Sequence, residues 1–491
     1  MKRPFEKLTE LSKTISTYKA MQELLEWDQE VMMPQEAILF RSDQTAQIAG
    51  HVHKLKTAKK FGQLLEQAAS QEQSSQERAA LRAWRRDYDV ANKLPSSFVK
   101  QFASLHMTSC HIWAKARKEN NFSLFAPYLE KTVKLCRKKA DYLGYKDHPY
   151  DALIDLYEIG MTTHQIAPIF DRLKKSLKAL LGTILTKPKV ETPFLNQEFS
   201  PEIQLQFGKK ILKHLGFSSN NSRLDLSTHP FCIGLHPLDT RMTTRIHTND
   251  VMSSIFSVLH EGGHAMYNQG LPVAWAGTPL AEAISLGIDE SQSRWWETRI
   301  GRNRSFWSFF LPLLQKDFPQ LKSATLEPFY KAINRVLPSF IRVEADEVTY
   351  NLHIILRFEI EKGLIEGSLK VKEIPEVWNQ KMQELLGITP KTDTEGCLQD
   401  IHWAMGSLGY FPTYSLGNIY AAQFFAVFEK SHPDWEKRIE KGDFAFIREW
   451  LKREIHQFGR QYTPGELIQK VTGKSLDESA YLAYLESKYR D

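Results

Sequence analysis

Long apolar runs are missing from this chain. Nowhere do about 18 hydrophobic residues follow one another, so no membrane-spanning helix is expected. Cysteine is scarce: Cys110, Cys136, Cys232 and Cys397 are scattered and form no CxxC pair, which excludes a disulfide framework and a thiolate zinc site. Reduced thiols in a cytoplasmic protein are the simplest account. Lys2 and Arg3 are followed by Pro4, Glu6, Lys7 and Glu10, which leaves no apolar stretch for a signal peptide. Charge of one sign is also lacking, since 64 Lys and Arg face 58 Asp and Glu. The resulting +6 is spread over 491 residues, so nucleic acid is not an implied partner. No internal repeat and no low-complexity tract is present.

What is present is apolar residues at helical spacing. With 42% hydrophobic and 11% aromatic content, the chain can bury a large core. Leu8, Leu11, Ile15, Tyr18, Met21, Leu24 and Leu25 mark one face of a long first helix, which Pro34 interrupts. Residues 46–116 read as two or three amphipathic helices, and residues 122–189 as a second helical set. Residues 228–248 differ, because Pro230, Gly234 and Pro237 punctuate short segments such as 241–246 that suit strands. Residues 279–299 and 342–367 read as long helices and 416–430 as a buried one. The fold class is therefore mainly α with a small β-sheet.

The segment His260-Glu261-Gly262-Gly263-His264 carries the chemistry. Residues four apart on a helix share a face, so two imidazoles can converge on one ion, with Glu261 beside it. Asn249 or Asp250 offers the N-cap of that helix, and Gly270 followed by Pro272 a stop. Each glycine inside a helix costs about 1 kcal/mol relative to alanine, so Gly262 and Gly263 suggest crowding, taken here as a narrow groove above the metal. A catalytic zinc site needs three protein ligands and one open position. Glu282, Asp289, Glu290 and Glu297 all fall on the helix expected next, and spacing does not choose among them.

Longer blocks do choose. Leu24-Leu25-Glu26-Trp27-Asp28-Gln29-Glu30, Pro149-Tyr150-Asp151-Ala152-Leu153, His229-Pro230-Phe231 and Asp239-Thr240-Arg241-Met242-Thr243 precede or flank the histidine helix. Asp289-Glu290-Ser291-Gln292-Ser293-Arg294, Ile341-Arg342-Val343-Glu344-Ala345-Asp346 and Gly396-Cys397-Leu398-Gln399-Asp400-Ile401-His402-Trp403 follow it. In this order the chain resembles the carboxypeptidase Taq family of zinc metallocarboxypeptidases over nearly its whole length. The resemblance implies a large helical fold of the neurolysin and angiotensin-converting enzyme type, with a deep groove and the small sheet near the zinc helix. It implies one metallocarboxypeptidase domain over 1–491, with a helical lid in 1–120 and the zinc-bearing body in 121–491.

The same resemblance implies His260, His264 and Glu290 as ligands of one Zn2+, with Co2+ as a substitute. Asp289 departs from it, because the family usually has His there. Glu261 becomes the general base and acid, and His402 with Tyr414 the oxyanion donors, Tyr410 and Tyr420 being the alternatives to Tyr414. Arg342 is the expected anchor of a substrate's free carboxylate through its planar fork. Arg241 supports substrate or the sheet, and Tyr410 lines the substrate site. Ion pairs with Asp239 or Asp346 are the structural alternative for these arginines. The function implied is release of single C-terminal residues from peptides by a cytoplasmic homodimer. An endo-oligopeptidase, a dipeptidyl carboxypeptidase and a silent peptide-binding scaffold are the alternatives.

Overall fold

The computed structural model describes residues 2–490. Four helices open the chain: Pro4–Val31 (α1), Ile38–Lys56 (α2), Lys59–Ala69 (α3) and Ser75–Lys93 (α4). Ser74 starts α4 with a capping box, its hydroxyl accepting from the Glu77 N–H while the Glu77 carboxylate accepts from the Ser74 N–H. The apolar faces of the four close on one another around Leu8, Ile15, Phe61, Leu65 and Trp84, joined from further along the chain by Leu280 and Trp275. Only the first half of the apolar stripe on α1 is covered, since Met21 and Leu24 are exposed.

A larger core begins with Ser96–Lys118 (α5), whose Phe98 meets Tyr142 of Phe122–Leu143 (α6) edge-on at 5.2 Å. Pro149–Ile154 (α7), Thr163–Leu185 (α8) and Pro201–His214 (α9) follow. Residues 46–116 thus hold the end of α2 and three further helices, more than the spacing predicts, because the Ser74 cap and Pro95 divide the run.

The sheet has three strands, Ser222–Leu226 (β1), Cys232–His236 (β2) and Asp239–Thr244 (β3). β3 is central, parallel to β1 and antiparallel to β2, which leaves β2 on an edge. β1 lies ahead of the stretch in which the sequence places strands. Val251–Gly270 (α10) packs on β3 and carries the histidines. Its N-cap is Asp250, whose carboxylate accepts from the Ser253 N–H at 3.0 Å.

Two expected helices start later than the periodicity suggests. Pro279–Ala281 is a single 3-10 turn, and Leu286–Arg294 (α11) begins only where Ser285 caps it. Glu282 therefore stands outside the helix that carries Glu290. α11 then widens into a π-helical turn at Trp295–Ile300. Likewise Arg342–Glu344 is a 3-10 turn, and Tyr350–Glu366 (α14) follows a turn in which Asp346 accepts from the Val348 and Thr349 N–H groups. Between α11 and α14 lie Arg304–Asp317 (α12) and Leu326–Ile333 (α13). Ile374–Leu386 (α15) and the almost wholly buried Pro412–Ser431 (α16) lead to four closing helices, Trp435–Ile439 (α17), Ala445–Glu454 (α18), Pro464–Thr472 (α19) and Ser479–Tyr489 (α20). Among the described residues no helix is long and apolar enough to cross a membrane.

Candidate active site

α10 and α11 meet so that three donor atoms converge. His260 Nε2 and His264 Nε2 each lie 3.6 Å from Glu290 Oε2. Ligands at 2.0–2.1 Å in a tetrahedron stand about 3.3 Å apart, so the set fits a small divalent cation with little adjustment. No other group of three or more His, Cys, Asp or Glu residues among those described could hold an ion in this way. The imidazoles keep 24% and 18% of their side-chain surface exposed while Glu290 keeps 8%, so the histidines face solvent and the carboxylate closes the back.

Each imidazole is aimed from behind. His260 Nδ1 lies 2.9 Å from Glu297 Oε2, and His264 Nδ1 lies 2.9 Å from Asp289 Oδ1. Such carboxylate partners put the proton on Nδ1 and leave Nε2 free to ligate. Burial opposes charge on His264, but Asp289 and Glu290 outweigh it and favour positive charge at this position, the charge that a bound cation would supply. Glu297 is reached from the π-helical turn and also accepts from Arg294 Nη1 at 2.7 Å. Burial opposes its charge too, but Arg294 and His260 keep it ionised far below the ordinary carboxylate range. Of the four acids between which spacing could not choose, Glu290 joins the two Nε2 atoms, two hold the histidines, and Glu282 instead accepts from Arg460 at 2.9 Å. Asp289 is the departure from the family pattern, and it makes the same kind of contact to its histidine as Glu297 makes to the other.

Glu261 is buried, and burial raises its carboxyl pKa, which suits the proton carrier expected at this position. The two glycines differ from the sequence reading. A Cβ on Gly263 would lie 2.5 Å from the Gln292 carbonyl oxygen and 2.5 Å from Ser293 Cα, so what crowds it is the backbone of α11 and not a groove above the metal. Gly262 faces Leu212 of α9.

A second group comes from residues 399–414. His402 Nε2 lies 3.2 Å from the Tyr414 hydroxyl, and the Tyr410 ring stands 5.2 Å from the His402 ring and 5.3 Å from that of Tyr414. Burial lowers the His402 pKa to about 4, with Asp400 opposing and Arg342 and Arg357 adding to the effect, so the imidazole is neutral at ordinary pH. Tyr420 is elsewhere, donating to Glu158 from the core.

Arg342 is buried beside Tyr414, its guanidinium carbon 4.9 Å from that ring. It pairs with Asp400 at 2.8 Å, not with Asp346, and Arg357 takes the other oxygen of the same carboxylate at 2.6 Å. Two guanidinium groups thus share one carboxylate, and the cluster keeps a net positive charge. Arg241 pairs with Asp239 at 3.2 Å and lies 4.6 Å over Trp27 of α1, so the structure gives it a fastening role between the sheet and the first helix. Sequence reasoning missed Arg357 and the orienting role of Glu297. The seven-residue spacing from Glu290 to Glu297, close to two helical turns, is the signal that could have shown the latter.

The family model for the carboxypeptidase Taq (M32) metallopeptidases matches residues 7–489. The chain belongs to this family. Among its relatives, this M32 carboxypeptidase is 40% identical over 472 residues to thermostable carboxypeptidase 1 of Pyrococcus furiosus, covering 95% of each chain. It is 37% identical over 484 residues to carboxypeptidase 1 of Bacillus subtilis, covering 98% of this chain and 97% of that one. Its fold superposes on the crystal structure of the M32 carboxypeptidase from Deinococcus radiodurans with a TM-score of 0.97 at 37% identity, over 99% of this chain and 98% of that one. It is an enzyme, a metallocarboxypeptidase that uses a divalent metal. The expectations of a mainly helical fold and of this family are thereby met.

Proposed function

We propose that this metallocarboxypeptidase is a zinc enzyme that removes single residues from the C-termini of peptides with broad side-chain tolerance. The convergence of His260 Nε2, His264 Nε2 and Glu290 Oε2 beside a buried Glu261 carries the proposal. Two imidazoles and one carboxylate are a catalytic zinc donor set, and Co2+ suits the same set. The cation supplies Lewis acidity to the scissile carbonyl and to the attacking water.

The protein's own residues do the rest. Glu261 takes the water's proton and delivers it to the departing amine. Neutral His402 and Tyr414 donate hydrogen bonds to the oxygen that becomes negative, and the low pKa of His402 keeps it a donor without adding a charge to the resting site. Tyr410 lines the substrate side of the pair. Arg342, with Arg357 behind it, directs positive charge at the substrate's terminal carboxylate, which selects peptides with a free C-terminus. Arg241 acts at a distance, through the sheet whose edge strand β2 borders α10 and offers unpaired backbone groups to an extended peptide. The N-terminal helices cover this region as a lid on a single-domain body, and the enzyme works as a cytoplasmic homodimer.

The test is mass spectrometry of the products from a hexapeptide as free acid and as C-terminal amide, with metal content measured on the same sample. The proposal expects stepwise single-residue losses from the acid, none from the amide, and about one zinc per chain. Cleavage of the amide, or loss of two residues at a time, would replace it with an endopeptidase or dipeptidyl reading.

A further inference from the structure

Two groups of residues in this site are placed by helices: His260, His264 and Glu290 by α10 and α11, and Tyr414 by α16. His402 and Tyr410 are not. They flank a stretch, 403–409, that runs through turns with Gly406 and Gly409 at positive φ. A turn of this kind is held only by what it touches.

One carboxylate touches both of its ends. Glu361, fully buried on α14, accepts from Trp403 Nε1 at 2.8 Å through one oxygen and from the Gly409 N–H at 2.8 Å through the other. Trp403 directly follows His402, and Gly409 directly precedes Tyr410. The second oxygen also accepts from the hydroxyl of Tyr150, on α7. α7 and the residues just after it fit tightly against the far end of the turn: a Cβ on Gly409 would meet the Leu153 backbone carbon at 2.7 Å, and the Tyr157 ring stands 5.2 Å from Tyr410. The Pro149-to-Leu153 block, which has no role in the chemistry, thus acquires one as the wall of this turn.

Burying a carboxyl without an ion-pair partner is costly, and burial lifts this one to about 7 against the three donors that favour its charge. Glu361 forms no salt bridge among the described residues. A group maintained at that cost, with its two oxygens spent on the two ends of one turn, is placed to set that turn's geometry.

We propose that Glu361 is a positioning residue for the oxyanion donor His402 and for Tyr410 beside it, fixing both by pinning Trp403 and Gly409. The inference rests on the role given above to His402. It differs from any role in metal binding, since Glu361 touches no ligand and no residue next to one.

In Glu361→Gln the amide nitrogen must face an N–H of either Trp403 or Gly409, so one pin is lost while volume is kept. Trp403→Phe removes the other side of one pin without touching Glu361 and serves where the first variant folds poorly. Misplacing a donor by about 1 Å costs on the order of a hundredfold. Both variants are expected to lower kcat roughly ten- to a hundredfold, with KM within about threefold of wild type and the metal content unchanged. In a His402→Ala background, Glu361→Gln is expected to add less than about threefold, because the donor it positions is gone. A generally structural role would instead multiply the two losses, and that result overturns the inference. So does an unchanged kcat in both single variants while His402→Ala is impaired. An unchanged kcat in His402→Ala overturns the reading of His402 and the inference with it.

Discussion

The N-terminal helices and the body that carries the metal ligands each bury an apolar core, but where they meet, charge does much of the joining. Arg460 binds Asp87 of α4 at 2.7 Å and Glu282 at 2.9 Å, and Lys19 of α1 stands 3.7 Å from the same Glu282. Arg86 of α4 reaches Asp155 at 2.7 Å, and Arg82 reaches Glu466 at 3.2 Å. Trp27 of α1 lies under both Arg223, at 4.9 Å, and Arg241, at 4.6 Å. Within the body, by contrast, α11 and α16 approach so closely that a Cβ on Gly417 would meet Glu290 Cγ at 2.5 Å. Close packing holds His260, His264 and Glu290 together, whereas partly exposed ion pairs hold the N-terminal helices with contacts that salt weakens.

The comparison is broken most directly in the body. Glu261→Gln should lower kcat by about 10²–10⁴ while retaining the metal and the thermal midpoint, measured by steady-state kinetics and elemental analysis. Gly263→Ala forces α10 off α11, so we expect a loss of about 1–3 kcal/mol in thermal unfolding together with faster loss of metal to a chelator. If stability and metal retention both hold, close packing is not what fixes the ligands.

A pH experiment sharpens the same point. His402 titrates near 6.5 when unfolded and near 4 when folded. Between those values the unfolded chain takes a proton that the fold refuses, so stability falls as pH drops from 6.5 to 4 and this contribution is flat below. Denaturation of His402→Gln across that window should show a shallower fall, by up to a few kcal/mol. The smallest effect belongs to the joint with the N-terminal helices: Arg460→Gln should cost about 1 kcal/mol, and the difference from wild type should shrink at high salt. A salt-independent difference would mean that Arg460 acts by packing.

How much of this was legible in the sequence follows the same division. The histidine helix, its cap at Asp250 and its end near Gly270 could be read locally, because helical spacing and capping are local rules. Glu290 could not be separated from three other acids until a resemblance of several blocks was used, since the choice depends on how two helices face each other. The late starts of α11 and α14 escaped because Ser285 and Asp346 divert the backbone inside stretches whose apolar spacing still looks helical. Glu361 and Arg357 escaped for a different reason. They lie inside an apolar helix, where a sequence shows a buried charge but not the turn or the carboxylate that it meets.

The π-helical turn at Trp295–Ile300 has one more consequence. A π turn is an α-helix that has taken in one extra residue, and the helix before it keeps its place while the wall bulges locally. Glu297 reaches His260 from within that bulge. Removing a single residue there, ordinarily counted as gross damage, would pull in the bulge, leave α11 with Glu290 where they stand, and withdraw the support of one ligand. Chain length at this point thus sets whether Glu297 reaches His260 at all.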